Sequence, residues 1–371
     1  MTCGNIQKSK VLVGMSGGVD SSTAAALLQR QGYEVTGATL KLWDAVTDGD
    51  SARGRTCCSL EDVEDARQSA FKLGIPFYVL NMKDVFEERV VQYFVQSYLE
   101  GETPNPCIAC NRYIKFSAML QKANALEMDY IATGHYARIH LDEATGRYLL
   151  KKGVDETKDQ SYVLHMLTQN QLSRLLLPLG SYRKAQIREI AAELGFVNSN
   201  KPDSQDICFV PDGSYVRFIE EYTGKPVEGG TFVDTQGRIL GKNKGMVHYT
   251  VGQRKGLGIS FPEPMYVVGK NSKSNTVTLA KHSQAGTRRV YAEAMNYIAF
   301  DKPKGDIRIK AKTRYSQKEA DAMLYPDADG KAVIEFNEPQ LFSAPGQSVV
   351  LYDGDVVVGG GYIKESPQNQ G

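Results

Sequence analysis

Gly14-Met15-Ser16-Gly17-Gly18-Val19-Asp20-Ser21-Ser22 is the stretch whose reading decides the fold. It follows the apolar run Lys10-Val11-Leu12-Val13. It opens a segment, Ser21 to Gln31, in which Ala24, Leu27 and Leu28 share one face and Gly32 supplies the stop. Strand, glycine loop, helix is the order that lets main-chain N–H groups and a helix N-terminus converge on a phosphate. The glycines permit the tight turn. Ser16, Ser21 and Ser22 add hydroxyls, and Asp20 is placed to hold a magnesium ion or to cap the helix. No Gly-Lys-Ser/Thr follows, so the lysine that grips a γ-phosphate is missing, and there is no G-x-G-x-x-G. Such a loop suits a leaving pyrophosphate better than a transferred phosphoryl group. The competing reading is an ordinary glycine-rich turn between strand and helix.

Outward from the loop the rhythm continues. Glu34 to Leu42, Phe77 to Leu80 and Tyr130 to Thr133 read as strands. Leu60 to Leu73, closed by Gly74, and Tyr182 to Leu194, closed by Gly195, read as helices; in the second, Ile187, Ile190, Ala191 and Leu194 share a face. This alternation predicts an α/β fold, a doubly wound parallel sheet. After about residue 212 eleven of the 35 glycines fall between Gly213 and Gly269, and long helical patterns stop. From Arg288 the chain reads as strands with tight turns, with a hairpin signal at Tyr352-Asp353-Gly354-Asp355 between Val349 and Val358. The expected domains are a catalytic domain over 1–212, a small Gly-rich middle domain over 213–285 and a C-terminal β-barrel over 286–371.

The 371 residues are 42% hydrophobic and 23% charged, as in ordinary soluble globular proteins. Lys+Arg 44 against Asp+Glu 43 excludes a globally cationic nucleic-acid coat. No apolar run reaches the length of a membrane span, and Met1 to Lys10 is short and polar. A cytoplasmic protein without a membrane partner is expected.

Six cysteines are too few for a disulfide scaffold, yet four form two close pairs, Cys57 with Cys58 and Cys107 with Cys110. Cys3 looks incidental. Thr103-Pro104-Asn105-Pro106-Cys107-Ile108-Ala109-Cys110-Asn111 is a proline-bracketed loop leading into a helix that carries Arg112 and Lys115. A thiol at a helix start beside cations is biased towards thiolate and is nucleophilic. The alternative is half of a zinc site completed by Cys57 and Cys58, whose adjacency makes tetrahedral chelation awkward. Cys208 lies in Asp203-Ser204-Gln205-Asp206-Ile207-Cys208-Phe209-Val210 after the polar, helix-breaking Asn198 to Pro202. Two readings stay open: a mobile loop, or a cysteine buried among Ile207, Phe209 and Val210.

Ser16-Gly17-Gly18-Val19-Asp20-Ser21 resembles the PP-loop of the N-type ATP pyrophosphatases, which adenylate an oxygen and release pyrophosphate. Pro-Asn-Pro-Cys-x-x-Cys-Asn and Asp-Ser-Gln-Asp-Ile-Cys-Phe follow it. Gly134-His135-Tyr136-Ala137-Arg138, Lys158-Asp159-Gln160-Ser161-Tyr162 and His248-Tyr249-Thr250-x-Gly252-Gln253-Arg254 are also present. Together they make the whole chain resemble the tRNA-specific 2-thiouridylases, which act on the wobble uridine. The resemblance implies ATP with Mg2+, a tRNA substrate, and a sulfur donor protein, either a cysteine desulfurase or a sulfur-relay protein; no DNA partner is implied.

Matched by motif, Cys110 is implied to be the nucleophile and Cys208 the bearer of a persulfide. Gly14, Met15, Ser16, Gly17, Gly18, Val19, Asp20, Ser21, Leu40 and Gly134 are implied ATP contacts, Leu40 standing where the family pattern has methionine. Asn105, Pro106 and Cys107 are implied to meet the target base. His135, Lys158, Asp159, Gln160, Arg314, Tyr315 and Gln347 are implied tRNA contacts. No metal ligand set is implied; an iron–sulfur cluster on Cys107, Cys110 and Cys208 is the chemical alternative.

A second signal for RNA does not depend on the resemblance. Ile307 to Arg314 alternates with period two, which puts Arg308, Lys310, Lys312 and Arg314 on one strand face. Their spacing, about 6.6 Å per two residues, suits successive phosphates. Gly286 to Tyr315 holds eight Lys/Arg against three Asp/Glu, and Lys242, Lys244, Arg254 and Lys255 form a second basic segment. An ordinary solvated strand face is the alternative.

Overall fold

The computed structural model describes residues 8–43, 60–196, 198, 207–210 and 213–365. The chain forms two units: 1–90, 107–213 and 355–357 make the first, and 91–106, 214–354 and 358–371 the second.

In the first unit, β1 (Lys10–Gly14), β2 (Glu34–Lys41), β3 (Phe77–Asn81) and β4 (Tyr130–Ala132) precede the hairpin β5 (Ala137–Asp142) and β6 (Arg147–Lys152) and the short β7 (Leu175–Leu176). The sheet order is β3-β2-β1-β4-β7, all parallel. Val11, Leu12 and Val13 of β1 are fully buried, which a continuous apolar run in a two-faced sheet requires. The helices in chain order are α1 (Val19–Arg30), α2 (Leu60–Leu73), α3 (Lys83–Phe86), α4 (Gln92–Leu99), α5 (Pro106–Ala109), α6 (Met119–Ala125), α7 (Gln169–Ser173) and α8 (Lys184–Glu193). Of these α4 belongs to the second unit. Ala25 and Leu28 of α1 and Ala66 and Ala70 of α2 pack against Val11, Val13 and Val35. Sheet order leaves β1 in both directions, to β2 and to β4, so the carboxyl end of β1 is a topological switch point, where open α/β sheets bind ligands. The glycine loop sits there.

The second unit contains a helix the sequence reading did not expect. α9 (Tyr215–Thr223) carries Tyr215, Phe218, Ile219 and Tyr222 at helical spacing and stops at Gly224, whose φ is +66°. Beyond it β8 (Gly230–Val233), β9 (Ile239–Asn243), β10 (Met265–Asn271) and β11 (Thr276–Lys281) form a sheet in the order β10-β11-β8-β9. Then β12 (Gly286–Tyr297), β13 (Ile307–Lys312), β14 (Ala320–Pro326), β15 (Ala332–Leu341), β16 (Ser348–Asp353) and β17 (Val356–Lys364) follow, and β12–β17 pairing closes them into a barrel. Val290, Leu324, Ile334, Phe336, Val349 and Leu351 fill it.

The four-cation face is shorter than its periodicity implied. β13 ends at Lys312, and only Arg308 and Lys310 are exposed along it. Lys310 pairs with Asp321 at 2.9 Å, and Lys312 is buried with its ammonium 5.4 Å from the Tyr352 ring centre. Pairing of β16 with β13 brings Tyr352 beside Lys312, so burial of the long aliphatic side chain and a cation–π contact win over solvation there.

Candidate active site

The glycine loop is built from main chain. Met15 N donates to Ala38 O at 2.8 Å, and Thr39 Oγ1 donates to Met15 O at 2.7 Å, tying the loop to β2. Ser21 Oγ accepts from Ser16 N and donates to Gly18 O, both at 3.1 Å, while Ser16 stays exposed. Gly17 turns at φ +72°, and a Cβ there would collide with the Asp62 main chain. At Gly134, just past β4, a Cβ would lie 2.9 Å from Asp20 C and Ser21 N. Only glycine lets these backbones close around the first turn of α1, leaving a cradle of N–H groups and hydroxyls fit for phosphate. Leu40 is half-buried near the end of β2.

Asp20 does not cap α1; the N-cap is Gly18, without a side-chain bond. Its carboxylate takes the Lys184 ammonium at 2.7 and 2.8 Å and the Tyr136 hydroxyl at 2.7 Å. The Lys184 side chain is only 10% exposed, against 29% for Asp20. Ala24 and Leu27 of α1 pack with Ile187, Leu179 and Tyr136, which delivers the first residue of α8 to the first turn of α1. Sequence reasoning missed Lys184, although one signal was available: it lies three residues before buried Ile187 and seven before buried Ala191, on the apolar face of its helix. The carboxylate expected to hold a magnesium ion is thus already paired with an ammonium and a hydroxyl. Asn198 also reaches the loop, donating to Gly17 O at 2.9 Å and Ser22 Oγ at 3.3 Å.

The thiols differ in setting. Pro106 occupies the first position of α5, where its missing N–H costs nothing. Cys107 is exposed, Cys110 is 8% exposed and Cys208 is half-buried, and none is in a disulfide. Cys110 opens a π-helical stretch, Cys110–Ala118, before α6. The wide turns are supported by Gln171, whose Nε2 donates to Phe116 O and Ser117 Oγ at 2.9 Å each, and by Ser117 Oγ donating to Arg112 O at 2.6 Å. Such stretches are rare in helices and concentrate at functional sites. Asn111, beside Cys110, donates to Val163 O at 3.1 Å. Cys208 lies in a turn closed by Val210 N to Ile207 O, and buried Phe209 packs edge-on to Phe86 at 5.7 Å, so this turn is anchored. Cys3, Cys57, Cys58 and 203–206 lie outside the described residues. Among the described residues no group of three or more His, Cys, Asp or Glu is arranged to hold a metal ion.

The residues matched to tRNA contacts fall in both units. His135 is buried, its Nδ1 2.7 Å from Thr133 Oγ1, and burial together with the nearby Lys115 charge keeps its pKa well below the usual histidine value. Asp159 shapes its loop, accepting from Gly153 N, Ser161 N and Ser161 Oγ, while Gln160 Oε1 accepts from Tyr136 N at 3.0 Å. Lys158 is half-buried. In the second unit Asn105 is half-buried, Pro106 buried and Tyr315 exposed. Arg314 donates to Val251 O at 2.8 Å and Phe342 O at 2.6 Å, and Gln347 Nε2 donates to Thr103 O at 2.8 Å.

A neighbouring histidine predicts a pH effect. Burial drops the His165 pKa from 6.5 to about 4, while its Nδ1–H donates to Tyr162 O at 2.8 Å. Below the unfolded value the unfolded chain takes up a proton that the folded chain refuses. Stability is therefore full above pH 6.5 and is lost as pH falls towards about 4, by on the order of 3 kcal/mol. Denaturant melts of the wild type and His165→Gln at about pH 7.5 and about pH 5 check this; equal acid losses in both proteins would rule the histidine out.

A lysine-free phosphate loop at the switch point of a parallel sheet, with thiols in the same unit, defines a nucleotide-binding α/β domain of the HUP class. Family models match in three blocks: a "tRNA methyl transferase HUP domain" over 9–212, a "tRNA methyl transferase PRC-barrel domain" over 216–281 and an "aminomethyltransferase beta-barrel domain" over 287–363. A tRNA-specific 2-thiouridylase MnmA of Acetivibrio thermocellus is 55% identical over 97% of this chain and 100% of its own length. The one from Clostridioides difficile is 52% identical over 96% and 98%. The chain belongs to the tRNA-specific 2-thiouridylase family. A solved 4-thiouridine synthetase–RNA complex with bound ATP is a far more distant likeness, 19% identical over 57% of this chain and 50% of that one, at a TM-score of 0.36.

Proposed function

We propose that this protein uses ATP to replace the 2-oxygen of the wobble uridine of tRNA with sulfur. The observation that carries the reading is a phosphate cradle without a lysine in its own sequence, in the same unit as the thiols Cys107, Cys110 and Cys208. The loop from Gly14 to Ser21, with Leu40 and Gly134, holds ATP so that the uridine 2-oxygen attacks the α-phosphate and pyrophosphate leaves. Main-chain N–H groups stabilise charge on that leaving group without demanding a γ-phosphate grip. Magnesium, when bound with the nucleotide, would offset charge on its phosphates. Adenylation turns the oxygen into a good leaving group. The outer sulfur of the Cys208 persulfide then attacks C2 and AMP departs; the Cys110 thiolate attacks Cys208 Sγ, breaking its bond to the transferred sulfur, which stays on the base and leaves a Cys110–Cys208 disulfide for later reduction. Alternatively Cys110 first frees sulfide, which attacks C2 with the same final products.

A wobble base within a stacked anticodon loop is out of reach, so it must be extruded; Asn105, Pro106 and Cys107 receive it in this reading. His135, Lys158, Asp159, Gln160, Arg314, Tyr315 and Gln347 hold the tRNA, and a cytoplasmic sulfur donor protein loads Cys208. The working division is catalytic over 1–212, middle over 213–285 and barrel over 286–371. Nucleoside mass analysis of tRNA incubated with enzyme, ATP and a sulfur source tests the reading. Thiolated uridine with tRNA-dependent pyrophosphate release supports it, and pyrophosphate release without RNA overturns it.

Arg314 carries a dual expectation. Its two carbonyl bonds mean that Arg314→Ala lowers stability by about 1–3 kcal/mol, since two partly buried carbonyls lose a charged donor. If a further N–H also meets a phosphate, the variant shows a shallower salt dependence of tRNA affinity. Thermal melts and salt-titrated binding separate the two effects; an unchanged salt slope confines Arg314 to the fold.

A further inference from the structure

The chain that enters the Asn105-Pro106-Cys107 loop is fastened residue by residue inside the second unit. Gly101 turns at φ +84°, and Glu102 N donates to Ser97 O at 2.8 Å. The Glu102 carboxylate takes the Lys364 ammonium of β17 at 2.7 Å, and Glu102 O accepts from Lys270 Nζ of β10 at 3.2 Å. Lys270 is 6% exposed, its ammonium 5.4 Å from the Tyr98 ring centre. Thr103 N donates to Pro345 O and Thr103 O accepts from Gln347 Nε2, both at 2.8 Å. Gly346, at φ +85°, leaves no room for a side chain: a Cβ would lie 2.9 Å from Glu102 Cβ and 3.0 Å from Thr103 N.

These contacts exceed what a turn after α4 needs. Barrel strand, middle-domain strand and barrel loop each contribute a donor or acceptor to two consecutive residues. Pro104 and Pro106 then stiffen the short path to Cys107, so displacement at Glu102 is passed along the chain rather than absorbed. We propose that Glu102 is a positioning residue for thiolation: through Lys364 and Lys270 the barrel and middle domain set where the base-receiving loop stands. The idea rests on the reading of Asn105, Pro106 and Cys107 as that loop.

Glu102→Gln and Lys364→Met each remove the ion pair while leaving the main-chain bonds of Thr103. The expected result is a fall in kcat for thiouridine formation of about tenfold, because small misplacements near reacting groups carry such costs. KM for ATP and tRNA affinity should stay within about twofold of wild type. The double variant should be no worse than either single one, since both break the same contact. Glu102→Asp, which keeps the charge, should recover part of the rate. Unchanged kcat in both single variants, or tRNA affinity falling in step with kcat, overturns the proposal; the second outcome would make the pair part of the tRNA grip. Wild-type enzyme and Cys110→Ser run alongside separate this failure from failure of the catalytic reading itself, which would show as no product with wild type or full product with Cys110→Ser.

Discussion

Cys208→Ser loses the protein-borne persulfide, and Cys110→Ser keeps it yet makes no thiouridine. The two thiols share a unit but not a setting. Cys208 is half-buried in a turn pinned by Phe209 on Phe86, so its sulfur can meet a donor protein without the turn coming loose. Cys110 is 8% exposed at the opening of a π-helical stretch, a poor landing site for a bulky donor protein. Transfer needs an arriving sulfur atom and a second thiol to accept its oxidation state, so loss of either cysteine should cost all measurable turnover. Cys57→Ser and Cys58→Ser are the controls and should retain turnover. Peptide mass analysis after loading with a cysteine desulfurase and labelled cysteine locates the sulfur. Persulfide found mainly on Cys110, or an active Cys208→Ser enzyme, reverses the roles. Colour and iron in anaerobically purified protein would replace them with cluster chemistry.

What was legible in the sequence was local. β1, the glycine loop and α1 follow one another within a few turns of chain, so apolar run, glycine and helical stripe coincide without help from elsewhere. Gly32, Gly74 and Gly195 stop their helices as read, each with φ between +64° and +94°. α9 is hard to read from sequence because its nine residues give the apolar stripe little more than two repeats, between Gly213 and Gly224. Period-two patterning correctly put Arg308, Lys310 and Lys312 on one face. It could not show that the paired strand β16 brings Tyr352 to the last of them. The π-helical register at Cys110 depends on Gln171, and the partner of Asp20 comes from α8; neither is written in the local sequence. A side chain meeting its partner across 164 residues leaves only an oblique trace, here a lysine on the buried face of a helix.

That lysine sets the second large effect. Asp20→Ala should abolish tRNA-dependent AMP and pyrophosphate formation, and Lys184→Met should reduce it by about a hundredfold or more, a loss of the size seen when one preorganised charge is removed from a transition-state site. The loop sequence carries no cation of its own, and Lys184 is the ammonium that the fold places at its helix start. Removing it leaves the Asp20 carboxylate, 29% exposed, held by the Tyr136 hydroxyl at 2.7 Å, with its negative charge now uncompensated beside the phosphate cradle. Removing Asp20 instead leaves an ammonium that is 10% exposed without its counter-ion. Either change should cost stability on the order of 2–4 kcal/mol, because truncating one partner of a buried pair strands the other. Asp20→Ala with Lys184→Met should be less unstable than the sum of the single variants, since the double change strands nothing. Activity distinguishes scaffold from chemistry: a pair that only holds α8 on α1 would let the double variant regain rate along with stability, whereas a pair that also manages charge at the phosphates leaves it inactive. ADP appearing in place of AMP in any of these proteins would remove the pyrophosphatase assignment of the loop altogether.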